Sequence, residues 1–126
     1  MRVLDASAVL AYLQQERGMD TVRNALQVGA SNNTVNLAEV CAKLKGRGVE
    51  PRPIVERLKA LGLDVAAFSE EDAIFSGEIV PVTQPLELSL GDRACLAFCR
   101  RLNAAVLTAE KAWARLELGI EVQLIC

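Results

Sequence analysis

Apolar positions along the chain follow two periods. Short apolar runs alternate with longer stretches in which apolar residues fall three or four positions apart. Residues 2–5 read as a strand and 7–15 as a helix. Gly18 breaks the chain before a second helix over 19–28, and 29–32 is a weak, short strand at best. Thr34 is placed to cap a helix over 35–46, ended by Gly46 and Gly48. Pro51 and Pro53 suit the first turn of a helix over 52–61, which Gly62 stops. Residues 63–68 read as a strand. Ser69 caps a helix over 70–79 whose first turn carries Glu70, Glu71 and Asp72, where the helix dipole favours acids. Pro81 to Pro85 predict a loop. Ser89 caps a helix over 90–102, 105–108 is a strand, 110–118 a helix and 122–125 a final strand.

Strands separated by helices pair in parallel through right-handed crossovers. The predicted fold class is therefore α/β: a three-layer α/β/α sandwich with a mostly parallel sheet of four to five strands. In such sheets, ligands sit beyond the carboxyl ends of the strands. The 126 residues, 52% of them apolar, suit one domain over 1–126 and argue against disorder. No apolar run approaches the ~20 residues needed to cross a membrane. The acid at position 5 precludes the apolar core of a signal peptide, and a cytoplasmic protein is expected.

Composition narrows the chemistry. The chain has no histidine, which removes Ser-His-Asp and Cys-His catalysis and HExxH zinc chemistry. The four cysteines, Cys41, Cys95, Cys99 and Cys126, form no CxxC and read as small hydrophobes. Acid–base or metal chemistry must then come mainly from carboxylates, and oxygen-only ligand sets suit Mg²⁺ or Mn²⁺.

Four acids fall at strand ends or on helix faces turned inward. Asp5 ends the first strand, and Glu110 follows the strand Ala-Val-Leu-Thr. Asp92 precedes Cys95 and Cys99 by three and seven residues, so it continues the inward stripe of its helix. Glu39 borders the apolar face of the helix over 35–46. Each has an ordinary structural role open to it. Asp5 can cap the following helix, Ser89-x-x-Asp92 fits a capping box, and Asn36-x-x-Glu39 is another candidate box. Glu39 also stands four residues before Lys43, the favourable order for a surface pair, and Glu110 can support the last helix. Together the acids are harder to explain. Parallel topology brings the ends of the first and fourth strands to one sheet edge, where clustered carboxylates repel unless a cation lies among them.

Four segments resemble the PIN-domain family, and within it the VapC-type toxins of VapBC toxin–antitoxin systems. They are Val-Leu-Asp-Ala-Ser-Ala-Val-Leu-Ala-Tyr-Leu (3–13), Thr-Val-Asn-Leu-Ala-Glu-Val (34–40), Leu-Ser-Leu-Gly-Asp-Arg-Ala-Cys-Leu-Ala (88–97) and Val-Leu-Thr-Ala-Glu-Lys-Ala-Trp (106–113). They run in the family's order across nearly the whole chain. The resemblance implies an Mg²⁺- or Mn²⁺-dependent ribonuclease acting on tRNA or ribosomal RNA, a homodimer, and a small VapB-type antitoxin that occludes the acid pocket. By position, Asp5, Glu39 and Asp92 match the three core acids, while Ser7 and Thr108 match hydroxyl residues at the site. The fourth acid of the family pattern is usually Asp, and here it is Glu110, one methylene longer. Leu10, Tyr12, Leu13 and Val22 are candidates either for antitoxin-facing surface or for core.

RNA must also be held against the acids. Residues 43–59 carry six basic residues against two acidic ones in a chain of net charge −2. Arg47 and Arg52, beside the Gly46–Pro53 turn, are candidate phosphate contacts, with Arg93 and Lys111 next to two of the acids; a solvated helical pair is the plain alternative. A haloacid-dehalogenase-like phosphatase needs Asp-x-Asp where this chain has Asp5-Ala-Ser7. A response-regulator receiver needs an acid ending its third strand, where this chain has Ala67-Phe68-Ser69. The remaining alternative is a catalytically silent PIN fold that only binds.

Overall fold

A computed structural model describes residues 1–126. Five parallel strands form the sheet: β1 (Arg2–Leu4), β2 (Ala30–Asn33), β3 (Leu63–Ala66), β4 (Val106–Thr108) and β5 (Val122–Leu124), in the order β3-β2-β1-β4-β5. Seven α-helices surround it: α1 (Ala6–Leu13), α2 (Met19–Val28), α3 (Thr34–Gly46), α4 (Pro51–Leu61), α5 (Glu70–Glu78), α6 (Val80–Thr83) and α7 (Leu90–Leu102).

The two faces of the sheet carry separate cores. On one, Leu4, Ala30, Leu63 and Leu107 pack against Val9, Val22, Leu26, Val40, Leu44 and Leu58 of α1–α4. On the other, Val3 and Val106 pack against Cys95, Leu96, Phe98 and Cys99 of α7, with Ile79 and Trp113. Adjacent strand residues point to opposite faces, so Val3 and Leu4 serve different cores. At roughly 25 cal/mol per Å² of apolar area, each fully buried Leu, Val or Phe contributes about 1.5–3 kcal/mol. Val22 lies wholly in the first core, and Leu10, Tyr12 and Leu13 pack partly buried at its border.

Several elements depart from the sequence expectation. The weak strand expected at 29–32 is β2, an interior strand with all four residues buried. Its Ser31 hydroxyl donates to the Asp64 carbonyl (2.9 Å), so polar side chains fill what is usually an apolar run. Asn33, not Thr34, caps α3: its Oδ1 accepts from the Asn36 amide (2.9 Å). The Thr34 hydroxyl instead accepts from the Phe68 amide (3.1 Å). The segment expected as a loop over 81–85 is α6 followed by a 3₁₀ turn, Gln84–Leu86. The helix expected over 110–118 is only a 3₁₀ turn, Lys111–Arg115, that seats the fully buried Trp113.

The topology selects one position on the sheet. From β1 the chain winds outward through β2 and β3, then returns to the other side of β1 for β4 and β5. The crossover direction reverses between β1 and β4, and α/β sheets bind ligands at the carboxyl ends of strands at such a switch point.

Candidate metal centre

Asp5 stands at that switch point. It follows β1 and caps α1, its Oδ1 accepting from the Ala8 amide (2.8 Å) and the Ser7 hydroxyl (2.7 Å). Its Oδ2 accepts from the Thr108 hydroxyl (2.6 Å) at the end of β4. The two hydroxyls are themselves fixed: Ser7 Oγ accepts from the Ala109 amide (2.9 Å) and Thr108 Oγ1 from the Glu110 amide (3.0 Å). The ends of β1 and β4 are thus joined through one carboxylate and two hydroxyls.

Asp5 is 2% exposed. Burial pushes its carboxyl up, the hydrogen bonds from Thr108, Ser7 and Ala8 pull it back, and the charge of Asp92 pushes it up again, leaving a pKa of about 6 against 3.8 for a free carboxyl. Asp92 is half-buried in the first turn of α7 and forms a capping box with Ser89. Its Oδ2 accepts from the Ser89 amide (2.9 Å) and the Ser89 hydroxyl accepts from its own amide (3.2 Å). One turn below, Cys95 is wholly buried. Its thiol is pushed well above the usual range by the hydrogen bond with Cys99, then by burial, then by the charges of Cys99, Asp5 and Asp92, so the floor beneath the acids stays neutral.

Glu39 reaches the same end of α7 from α3. Its carboxylate fills the space a side chain at Gly91 would need: a Cβ there would lie 2.6 Å from Glu39 Cδ and 2.8 Å from Oε2. The buried Asn36 holds it, donating through Nδ2 to Glu39 Oε1 (2.9 Å) and to the Gly91 carbonyl (3.0 Å). Asn33 Nδ2 adds a bond to the Ala94 carbonyl (3.1 Å). Two asparagines therefore lock the start of α3 to the start of α7. The expected box at Asn36-x-x-Glu39 is a bond between side chains, and no ion pair joins Glu39 to Lys43.

Glu110 lies two residues beyond Thr108 and is exposed; its side chain makes no capping bond. Arg93 is half-buried and its Nε donates to the Ser76 carbonyl (3.1 Å). Lys111, Arg47 and Arg52 are exposed. Glu39 and Asp92 thus both lie at the first turn of α7, and the charge of Asp92 reaches Asp5.

No lysine or arginine pairs with any of these four acids. The three ion pairs are Arg23–Asp20, Lys45–Glu50 and Arg101–Asp72. Asp72 is the instructive contrast, because it is as buried as Asp5. Burial raises its carboxyl, but Arg101, donating two bonds of 2.9 Å, together with the bonds from Ser69, outweighs that and sets it below the ordinary value. Asp5 has no such cation. The donor set, all carboxylate with hydroxyl support, fits a hard divalent ion such as Mg²⁺ or Mn²⁺. No three acidic or thiol side chains converge tightly enough to enclose an ion on their own.

Gly91 escaped the sequence reading of the site, and Asn36 entered it only as a candidate capping partner of Glu39. Gly91 carries the one available signal: glycine inside a helix is unfavourable by about 1 kcal/mol relative to alanine, so its presence points to a close approach.

Residues 2–118 match the family model of the PIN domain, and the chain belongs to that family. None of the proteins with curated functions matches the sequence. Solved structures share the fold at low identity. A toxin–antitoxin complex from Klebsiella pneumoniae is 18% identical with a TM-score of 0.74, over 100% of this chain and 98% of that one. DNA-bound VapBC from Salmonella typhimurium is 16% identical with a TM-score of 0.75, over 100% of both chains. VapC20 from Mycobacterium tuberculosis, a toxin that cleaves the sarcin-ricin loop, is 14% identical with a TM-score of 0.69, over 96% of this chain and 99% of that one.

Proposed function

We propose that this chain is a single-domain, divalent-metal-dependent endoribonuclease toxin that hydrolyses phosphodiester bonds in tRNA or ribosomal RNA. The observation that carries this is the set of carboxylates without cationic partners at the β1–β4 switch point of a PIN-domain chain. The toxin–antitoxin and VapBC neighbours support the toxin assignment, and the sarcin-ricin-loop cleavage by one of them supports RNA as the substrate.

Mg²⁺ or Mn²⁺, when bound, supplies the charge that polarises the scissile phosphate and lowers the pKa of an attacking water. Asp5 and Asp92 bind the ion. Ser7 and Thr108 fix the orientation of Asp5, so that its carboxylate does not have to reorganise on binding. Glu39, held by Asn36, ligates the ion or orients the water, and Glu110 reaches the same pocket from the rim. Arg47, Arg52, Arg93 and Lys111 are the proposed phosphate contacts. A VapB-type antitoxin covering the acids and a homodimer complete the proposal, with the cytoplasm as its place of action; no helix of the chain is long and apolar enough to cross a membrane.

The test is expression without any antitoxin, followed by mapping of newly formed RNA 5′ ends. Growth arrest with discrete cleavage sites, both lost in Asp5→Ala, is the expected result. Arrest that persists in Asp5→Ala, without cleavage, identifies a silent binding module instead.

A further inference from the structure

One side of α3 continues outward from the acid cluster. Glu39, Ala42, Lys43, Gly46 and Arg47 line an open groove of about 520 Å³. Their spacing places Glu39, Lys43 and Arg47 four residues apart on one helical stripe, beside a floor of Ala42 and Gly46. A Cβ at Gly46 would meet nothing within 4 Å, so the floor is clear. The inner end of the groove is the same Glu39 that Asn36 fixes against Gly91.

The charges along the groove are free. Lys43 and Arg47 are exposed and take part in no ion pair, whereas Lys45, on another side of the helix, is paired with Glu50. Arg52 opens on a different hollow, with Cys41, Pro51, Val55 and Glu56. Four residues of α-helix advance about 6 Å, close to the step between successive phosphates of an extended nucleic-acid strand. Unpaired cations at that interval, over a floor of small residues, match a sugar–phosphate backbone.

We infer that the α3 groove is the track for one strand of single-stranded RNA, with successive phosphates on Lys43 and Arg47 and the strand entering the acid cluster at Glu39. This rests on the ribonuclease reading above and adds to it a direction and a contact set. The two cations contact the backbone of one strand. The contacts go to the backbone, so the track is indifferent to base identity.

The test measures binding of a fluorescently labelled single-stranded RNA of about 12 nucleotides, within the usual range of site sizes. Asp92→Asn protein is used, so that bound RNA stays intact. Lys43→Ala and Arg47→Ala should each weaken binding roughly tenfold and lower the slope of log affinity against log salt by about 0.7. Gly46→Glu, whose added Cβ has open space, should weaken binding at least as much. Arg23→Ala, which removes a cation elsewhere on the surface, should leave the salt slope unchanged. In the parent protein, Lys43→Ala/Arg47→Ala should raise KM for long RNA by a larger factor than it lowers kcat. Unchanged affinity and slope in the α3 variants would overturn the track, as would a parent that binds no RNA. Polyglutamate competing as well as RNA would also overturn it, by assigning the cations to an acidic protein partner. A protein that binds RNA through these residues but cuts none refutes the ribonuclease reading and leaves the track standing.

Discussion

Asp5 serves two roles with one carboxylate: it caps α1, and it presents a charge at the head of the sheet. The two roles conflict energetically, which gives a measurable signature. Its folded pKa of about 6 exceeds the free value of 3.8, so between those pH values the folded state holds more proton than the unfolded one. Stability without metal therefore falls as pH rises through that window, by about 3 kcal/mol once both states are ionised. Asn keeps a capping oxygen. Asp5→Asn is thus expected to raise the metal-free stability at pH 7 by about 1–2 kcal/mol, allowing for a less well matched bond to Thr108, and the two proteins should converge near pH 4. Urea unfolding at the two pH values checks this; a variant less stable at pH 7 would show that the hydrogen bonds from Thr108 and Ser7 to the carboxylate outweigh the cost of its burial. Adding Mg²⁺ should stabilise the parent and not the variant. At this scale the position of Asp5 was legible in the sequence because a carboxylate closing a buried strand is unusual. Asn36 was not, since its partner Gly91 lies 55 residues away along the chain.

At the scale of elements, the start of α7 organises the centre. Its capping box aims Asp92, its second residue makes room for Glu39, and its carbonyls receive both asparagines. Gly91→Ala tests that packing. In an ordinary helix position the change stabilises by up to about 1 kcal/mol. Here the new Cβ overlaps the Glu39 carboxylate, so Glu39 must leave its bond to Asn36. RNA cleavage is expected to fall at least tenfold while the melting temperature moves by only a few degrees. Full activity would show that Glu39 works from elsewhere. The helix starts at Ser69 and Ser89 could be read directly, because a cap is local chemistry. β2 could not be, because Ala30-Ser-Asn-Asn has loop composition and is a strand only through partners on both sides. The 3₁₀ turn at Lys111–Arg115 was similarly set by the burial of Trp113, not by helix propensity.

At the scale of the whole molecule, all-parallel pairing in the order β3-β2-β1-β4-β5 collects residues from sequence positions as distant as Asp5 and Thr108 at one point. The alternation of strands and helices was enough to expect a mostly parallel sheet but not its strand order, and the segments that match the PIN family fall on the elements that meet there. The central claim is that this meeting point is a divalent-metal site that cuts RNA. Cleavage of RNA by the purified protein, titrated with Mg²⁺ or Mn²⁺ in parallel with Asp92→Asn, tests it most directly. The account predicts cleavage that is absent in chelator, saturates with added metal, and is lost in the correctly folded Asp92→Asn protein. Equal cleavage by Asp92→Asn, or cleavage indifferent to metal, would contradict it.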